Sequence, residues 1–226
     1  VPLPRRTKGF AQVTPNLGAH VPREVLLALL EEGEARVTGT SFSGLELSDV
    51  STGGAAFENV AFHGCAFERV DFSRGTLTDV LFSGCRFVGC SFARSWLNRV
   101  DFRSCSAPGL SFSKSRLTGV LVEDGQFGYA DLAEATANRL RVVSTGLAEA
   151  NVFSARLSHV ELDRCDLSRA TVARTSLSGI DLSTCDISGI RVSSDVRELR
   201  GALVSASQAA GLARLLGIVV KEDEWL

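Results

Sequence analysis

Histidine is nearly absent. The 226 residues include three, His20, His63 and His159, scattered along the chain. General acid–base catalysis and histidine-based metal sites have little to draw on. No HExxH pattern, phosphate-binding glycine loop or nucleophile elbow occurs either, so the chain reads as a non-enzyme. A strong charge of one sign is missing too. Twenty-four basic and 26 acidic residues leave a formal net charge of −2, which gives no argument for a nucleic-acid partner. No run of 18 apolar residues is present, which excludes a membrane-spanning helix. The opening Val1-Pro2-Leu3-Pro4-Arg5-Arg6 is basic, yet no apolar stretch follows, so it does not read as a signal peptide.

What the chain has instead is a period of five. The steps of five from Phe42 to Val192 meet 31 positions, and 28 are Phe, Leu, Val or Ile; Thr52, Ala107 and Ala137 are the exceptions. Eleven of the 13 phenylalanines fall in this frame. The residue two places earlier is small or β-branched, as at Cys65, Val70, Val80, Ala130 and Ala170. These two positions share one side of an extended chain. The other three are mostly Ser, Gly, Asp, Arg and Thr. Each repeat therefore predicts a short strand with two inward side chains, followed by a turn.

A helix does not fit this pattern, because five residues rotate it by ~140° net and the apolar residues would form no stripe. A straight strand fails as well: five is odd, so the inward residue would change face at every repeat. A corner in each repeat removes the conflict, and four corners close a square. A square coil demands a second period of 20. Phe42, Phe62, Phe82 and Phe102 make one column, Phe72, Phe92 and Phe112 another, and Leu77, Leu97 and Leu117 a third.

The pattern resembles the pentapeptide-repeat family, whose repeat is a small residue, Asp or Asn, Leu or Phe, Ser, Thr or Arg, then any residue. Ala130-Asp131-Leu132-Ala133-Glu134 and Cys165-Asp166-Leu167-Ser168-Arg169 match it closely. The resemblance covers residues 40–194. It implies an all-β solenoid, a right-handed quadrilateral parallel β-helix, here of nearly eight coils and ~37 Å long at a strand spacing of ~4.8 Å.

A solenoid needs caps at both ends. Residues 1–39 are expected to hold an N-terminal arm (1–21) and a capping helix near 22–32. Pro22 opens that helix, Val25, Leu26, Leu29 and Leu30 form its stripe, and Gly33 ends it. Residues 195–226 form the other end. Ser205 and Gln208 read as a capping box for a helix over 205–216. Gly217 stops it, and Ile218-Val219-Val220 reads as a short strand. The segment from Leu199 to Ser205 looks like the C-terminal module of bacterial members. In the topoisomerase-directed members such a module mediates dimerisation, which implies a homodimer through Leu212, Leu215, Leu216 and Ile218. A cap on a monomer is the alternative.

All six cysteines, Cys65, Cys85, Cys90, Cys105, Cys165 and Cys185, occupy the position two before the frame. They read as small buried hydrophobes. Stacked Cα atoms ~4.8 Å apart would permit a disulfide, but parallel side chains hold the Cβ atoms too far apart. A line of thiols does not converge on a tetrahedral zinc. No metal or other cofactor is expected, and the thiols suit a reducing, cytoplasmic compartment.

The partner must be read from the surface, because a fold alone does not give function. The period of 20 sorts the outward charges onto faces. One face carries Asp101, Glu123, Asp124, Glu161, Asp163 and Asp181 against Arg103, Arg141 and Arg164. The next is also acidic, and the remaining two are basic. Resemblance to quinolone-resistance and toxin-immunity members implies a rod that mimics DNA and binds DNA gyrase through its acidic faces. The repeat region here holds 17 acids and 15 bases, unlike the strongly acidic examples. The alternative is an interaction scaffold for an unrelated protein, supported by the outward residues Leu81, Trp96, Leu121, Tyr129 and Phe153. Neither reading expects direct contact with nucleic acid or membrane.

Overall fold

The computed structural model describes residues 9–13, 17, 21–31 and 35–221. Hydrogen bonding between successive coils decides the architecture. In chain order the strands are β1 (Arg36–Ser43), β2 (Glu46–Ser48), β3 (Ala56–His63), β4 (Ala66–Glu68), β5 (Thr76–Ser83), β6 (Arg86–Val88), β7 (Trp96–Arg103), β8 (Arg116–Glu123), β9 (Thr136–Val143) and β10 (Arg156–Asp163). Each eight-residue strand spans two repeats, and seven of them form one parallel sheet in the order β1-β3-β5-β7-β8-β9-β10. Strands β2, β4 and β6 form a second sheet. Single bridges such as Ser51↔Asp71, Asp131↔Asn151 and Thr171↔Arg191 extend the wall. Partners are 20 residues apart throughout the long sheet, as in Phe42↔Phe62, Phe82↔Phe102 and Val122↔Val142. The result is a right-handed quadrilateral β-helix, the hand that parallel crossovers take.

The ladder starts one repeat before residue 40: Ala35 and Val37 already occupy the two inward positions and are buried. Regular strands stop at Asp163, but bridges continue to Arg191. Beyond them an irregular segment takes the place of another coil, with Leu203 paired to Asp181.

Two local devices make the corners. Every fifth residue from Gly39 to Gly189 has a left-handed φ, such as 49° at Arg69 and 61° at Arg74; the exception is Thr184, whose branched Cβ disfavours that region. The residue before each inward side chain supplies the second device. The Oδ1 atoms of Asp71, Asp166 and Asp186 accept the backbone N–H two residues on, at 2.9, 2.8 and 2.8 Å. Such Asx turns give the repeat its Asp for a physical reason.

Both ends are covered by helices. Helix α1 (Arg23–Glu31) buries Leu26 and Leu30, while Gly33 lies outside the described residues. Helix α2 (Ala206–Ala213) begins with a complete capping box between Ser205 and Gln208. The Nε2 of Gln208 also donates to the carbonyls of Leu182 and Cys185, both at 2.8 Å. One side chain thus closes the box and satisfies carbonyls that no further coil would meet. A single 3-10 turn (Arg214–Leu216) follows, and Gly217 stops it at φ 74°. The strand expected over Ile218-Val219-Val220 does not form. Those residues are exposed, and among the described residues no sheet edge pairs with them.

All six cysteines are free and buried. The thiols of Cys65, Cys85, Cys90, Cys105 and Cys165 point at carbonyl oxygens of the preceding coil, for example Cys65 to Phe42 at 3.6 Å and Cys90 to Phe67 at 3.3 Å. Burial pushes the Cys90 thiol above its ordinary pKa.

Candidate interaction surface

The outer face of the long sheet carries most of the acids singled out from sequence, and strand register sets their neighbours. One outward column reads Ala61, Leu81, Asp101, Leu121, Arg141, Glu161. The next reads Arg103, Glu123, Val143, Asp163. Leucine, valine and arginine therefore interrupt the acids, and no continuous row of negative charge results.

Ion pairs cancel much of what remains. Arg103 bridges Asp101 at 2.9 Å and Glu123 at 2.7 Å. Arg141 lies 3.5 Å from Glu161, and Arg164 lies 2.8 Å from Asp163. Asp181 caps a turn through the N–H of Ser183 at 2.9 Å, and the Ser183 hydroxyl and N–H hold its carboxyl below the usual range. Asp124 sits exposed at a left-handed corner, without an ion pair among the described residues.

The corners show the same cancellation. Arg69 reaches Asp49 at 2.5 Å, Arg99 reaches Asp79 at 2.6 Å and Arg169 reaches Glu149 at 3.0 Å, each pair 20 residues apart in one corner column. A spacing of 20 between opposite charges was the signal for these pairs. Each exposed pair is worth only ~0–1 kcal/mol, but together they flatten the potential of the rod.

Asp101 departs most from expectation. It is buried rather than presented to a partner, because residues 9–13 lie against the sheet there. The Ala11 N–H donates to Asp101 Oδ1 at 3.1 Å, and the Gln12 N–H donates to Asp79 Oδ1 at 3.0 Å. Burial raises the Asp101 pKa, and it outweighs the opposing pull of Arg103 and of the Ala11 N–H. Burial also acts on Asp79, but there Arg99 and the Gln12 N–H prevail and hold the carboxyl low. Leu121 is buried in the same stretch and Leu81 is half-buried, so the apolar patch expected from that pair is not open.

Among the described residues the exposed aromatics are Trp96, with Arg116 over its ring at 5.5 Å, and Tyr129. Phe153 is half-buried under Arg174. At the C-terminal end Leu212 is half-buried, whereas Leu203, Leu215, Leu216, Ile218, Val219 and Val220 are exposed together. Among the described residues no group of His, Cys, Asp and Glu could hold a metal ion, and no helix is long and apolar enough to cross a membrane.

A four-sided coil with a five-residue repeat and left-handed corners defines a class of β-solenoid. Residues 55–132 match the family description of a pentapeptide repeat region, and residues 147–189 match pentapeptide repeats in eight copies. These stretches cover more than half of the chain, which belongs to the pentapeptide-repeat family. No curated protein matches it significantly. Among solved structures, a trypsin-treated form of QnrB1, described as a plasmid-mediated fluoroquinolone resistance protein, is 21% identical with a TM-score of 0.40, over 82% of this chain and 100% of that one. Full-length QnrB1 is 20% identical with a TM-score of 0.36, over 81% and 99%. HetL, described as involved in heterocyst differentiation regulation in the cyanobacterium Nostoc sp. strain PCC 7120, is 16% identical with a TM-score of 0.32, over 82% and 98%. Likeness at this level carries no argument about a partner.

Proposed function

We propose that the chain is a non-enzymatic scaffold that binds a protein partner and pairs with a second copy through its C-terminal module. The observation that carries this reading is the contrast between its charges and its apolar residues. The acids are interrupted and most of those on the long sheet are paired, while Leu215, Leu216, Ile218 and Val219 stand exposed at one end. Contiguous exposed apolar residues mark contact sites, whereas paired surface charges contribute little. A reducing, cytoplasmic setting belongs to the same proposal, supported by six free, buried thiols. Light scattering tests the pairing. The wild-type chain should be a dimer, and Leu215→Asp a monomer with an unchanged circular dichroism spectrum. A monomeric wild type, or a variant that unfolds, would remove the pairing.

DNA gyrase is the second reading. The acids on the long face of the rod favour it. Duplex DNA carries about one charge per 1.7 Å of axis, which the interrupted columns here do not approach. Inhibition of supercoiling should therefore be weak and lost as salt rises. Potent inhibition at physiological salt, abolished when Glu123, Asp124, Glu161 and Asp163 become Lys, would put gyrase in place of the scaffold reading.

A further inference from the structure

Along the five-residue frame the inward residues from Phe42 to Phe127 are buried, and so are those from Leu167 to Ile187. Between these two stretches Leu132, Leu147, Val152, Leu157 and Leu162 are only half-buried. The loosening therefore lies inside the rod and not at an end. All five residues line one apolar cavity of about 90 Å³, and the surface they retain faces that void. The walls around it are fixed. Strands β8, β9 and β10 hold a 20-residue register on two sides. Bridges from Gln126 through Gly146 to Asp166, and from Asp131 through Asn151 to Thr171, hold the other two. A void whose walls are hydrogen-bonded on every side is not relieved by collapse.

The lining sets the chemistry of an occupant. Every side chain around the cavity, from Phe112 to Ile190, is Phe, Leu, Val, Ile or Ala. A water molecule needs two to four polar partners, so such a space stays dry. The lining atoms lack neighbours on one side and lose dispersion contacts. An apolar molecule restores those contacts and leaves water in doing so. A charged group would enter unpaired, at a large cost. The lining also sets the shape. Phe112, Leu132, Val152 and Val172 are four successive layers of one column, so the outer two stand ~14 Å apart at ~4.8 Å per coil. About 90 Å³ spread along that axis is slimmer than the engineered apolar cavity of ~150 Å³ that takes benzene. Ile190 lines both this cavity and the groove beneath α2, so the two spaces meet at one side chain.

We propose that the interior of the second half of the solenoid is a binding site for a slim, uncharged hydrocarbon, a short unbranched alkyl chain. The site is independent of the outer surface and of any protein partner. Its selectivity comes from width and from the absence of polar groups, because the lining offers no hydrogen bond to read.

The test uses the full chain, methyl-labelled and followed by NMR, with n-pentane as the probe. The methyl groups of Val142, Val152 and Leu162 should shift saturably, with a Kd on the order of a millimolar or below for so small a ligand. Those of Leu77, Val80 and Leu97, in the packed half, should not move. Val142→Leu and Val152→Leu each put a methylene into the void, and whichever of them folds should bind pentane at least about tenfold more weakly. Pentanoate at neutral pH carries a charge on a similar tail and should not bind. Cyclohexane, which is wider, should not bind either. No saturable shift with pentane, shifts of equal size at Leu77 and Leu97, or undiminished binding by a folded filling variant would each overturn the proposal. Binding of pentanoate would overturn the exclusion of charge, and binding of cyclohexane the limit on width.

Discussion

The two halves of the solenoid share a backbone and differ in what fills it. From Phe42 to Phe112 the interior is a set of aromatic ladders. Phe62 stacks on Phe82 at 5.0 Å and 6°, Phe72 on Phe92 at 4.6 Å and 5°, and Phe67 on Phe87 at 5.0 Å. Rings in adjacent columns meet edge to face, as Phe67 does with Phe82 at 85°. Both arrangements suit the charge distribution of the ring. From Leu117 onward the column of Phe102 continues as Val122, Val142, Leu162 and Leu182. The hydrogen-bond ladder keeps its 20-residue register across the change, so the square cannot shrink to suit smaller side chains. The missing volume appears as an apolar cavity of about 90 Å³ lined by residues such as Val122, Leu140, Val142 and Leu167. At ~24 cal/mol per Å³ such a void costs on the order of 2 kcal/mol. Backbone pairing thus sets the dimensions of a coil, and side chains only fill what it encloses.

The largest expected effect separates the halves by truncation. Phe82→Ala should destabilise by ~3–5 kcal/mol in urea unfolding, because its ring contacts Phe62, Phe67, Phe87, Phe92 and Phe102. Leu167→Ala, beside the cavity, should cost ~2 kcal/mol, at the low end for buried leucine. Equal losses would mean that the second half is as tightly packed as the first.

Enlargement should change sign between the halves. Val142→Leu fills part of the void and should raise stability by ~0.5–1 kcal/mol. Phe82→Trp overpacks a closed ladder and should lower it by ~1–3 kcal/mol. A loss at both sites would show that the cavity cannot take a methylene.

The shell should not distinguish the halves at all. Asp71→Ala and Asp166→Ala each remove one Asx-turn bond, to the N–H of Ser73 and of Ser168, and each should cost ~0.5–1 kcal/mol. A clear difference would mean that the corners, too, change along the rod.

The smallest effect is kinetic. Every thiol should react slowly with a maleimide in the folded protein, since burial shields it. Cys185, which lines the groove under α2 and is 7% exposed, should react before Cys65, at 1%. Mass spectrometry of partly labelled protein gives the order, and early labelling of Cys65 would place the looser packing in the first half.

Much of this could be read from residue order. The frame through Phe42 and the cysteines two places before it predict most of the buried set, although Leu132, Leu147, Val152, Leu157 and Leu162 in that frame are half-buried, and the capping box at Ser205 predicts α2. Three features could not be read that way. The segment Gly9-Phe10-Ala11-Gln12-Val13 shows no repeat, and what holds it is a pair of carboxylates 67 and 90 residues away. Asp101 and Leu121 sit at outward positions, so their burial depends on that segment. Ile218-Val219-Val220 has strand-forming side chains, but a strand also needs a partner edge, and none of the described residues pairs with it.

The sequence by itself determined the coil. A five-residue period of inward side chains admits neither a helix nor a straight strand, so four corners and a 20-residue register follow from geometry alone. It also determined the inside of the wall, because an inward position in an unbroken frame has nowhere else to point. Only the tertiary structure decided the outside. Whether an outward acid is open, paired or covered depends on which charge stands one coil away and on where an unpatterned segment comes to lie. Those are contacts between residues 20 to 90 apart, and no local preference encodes them.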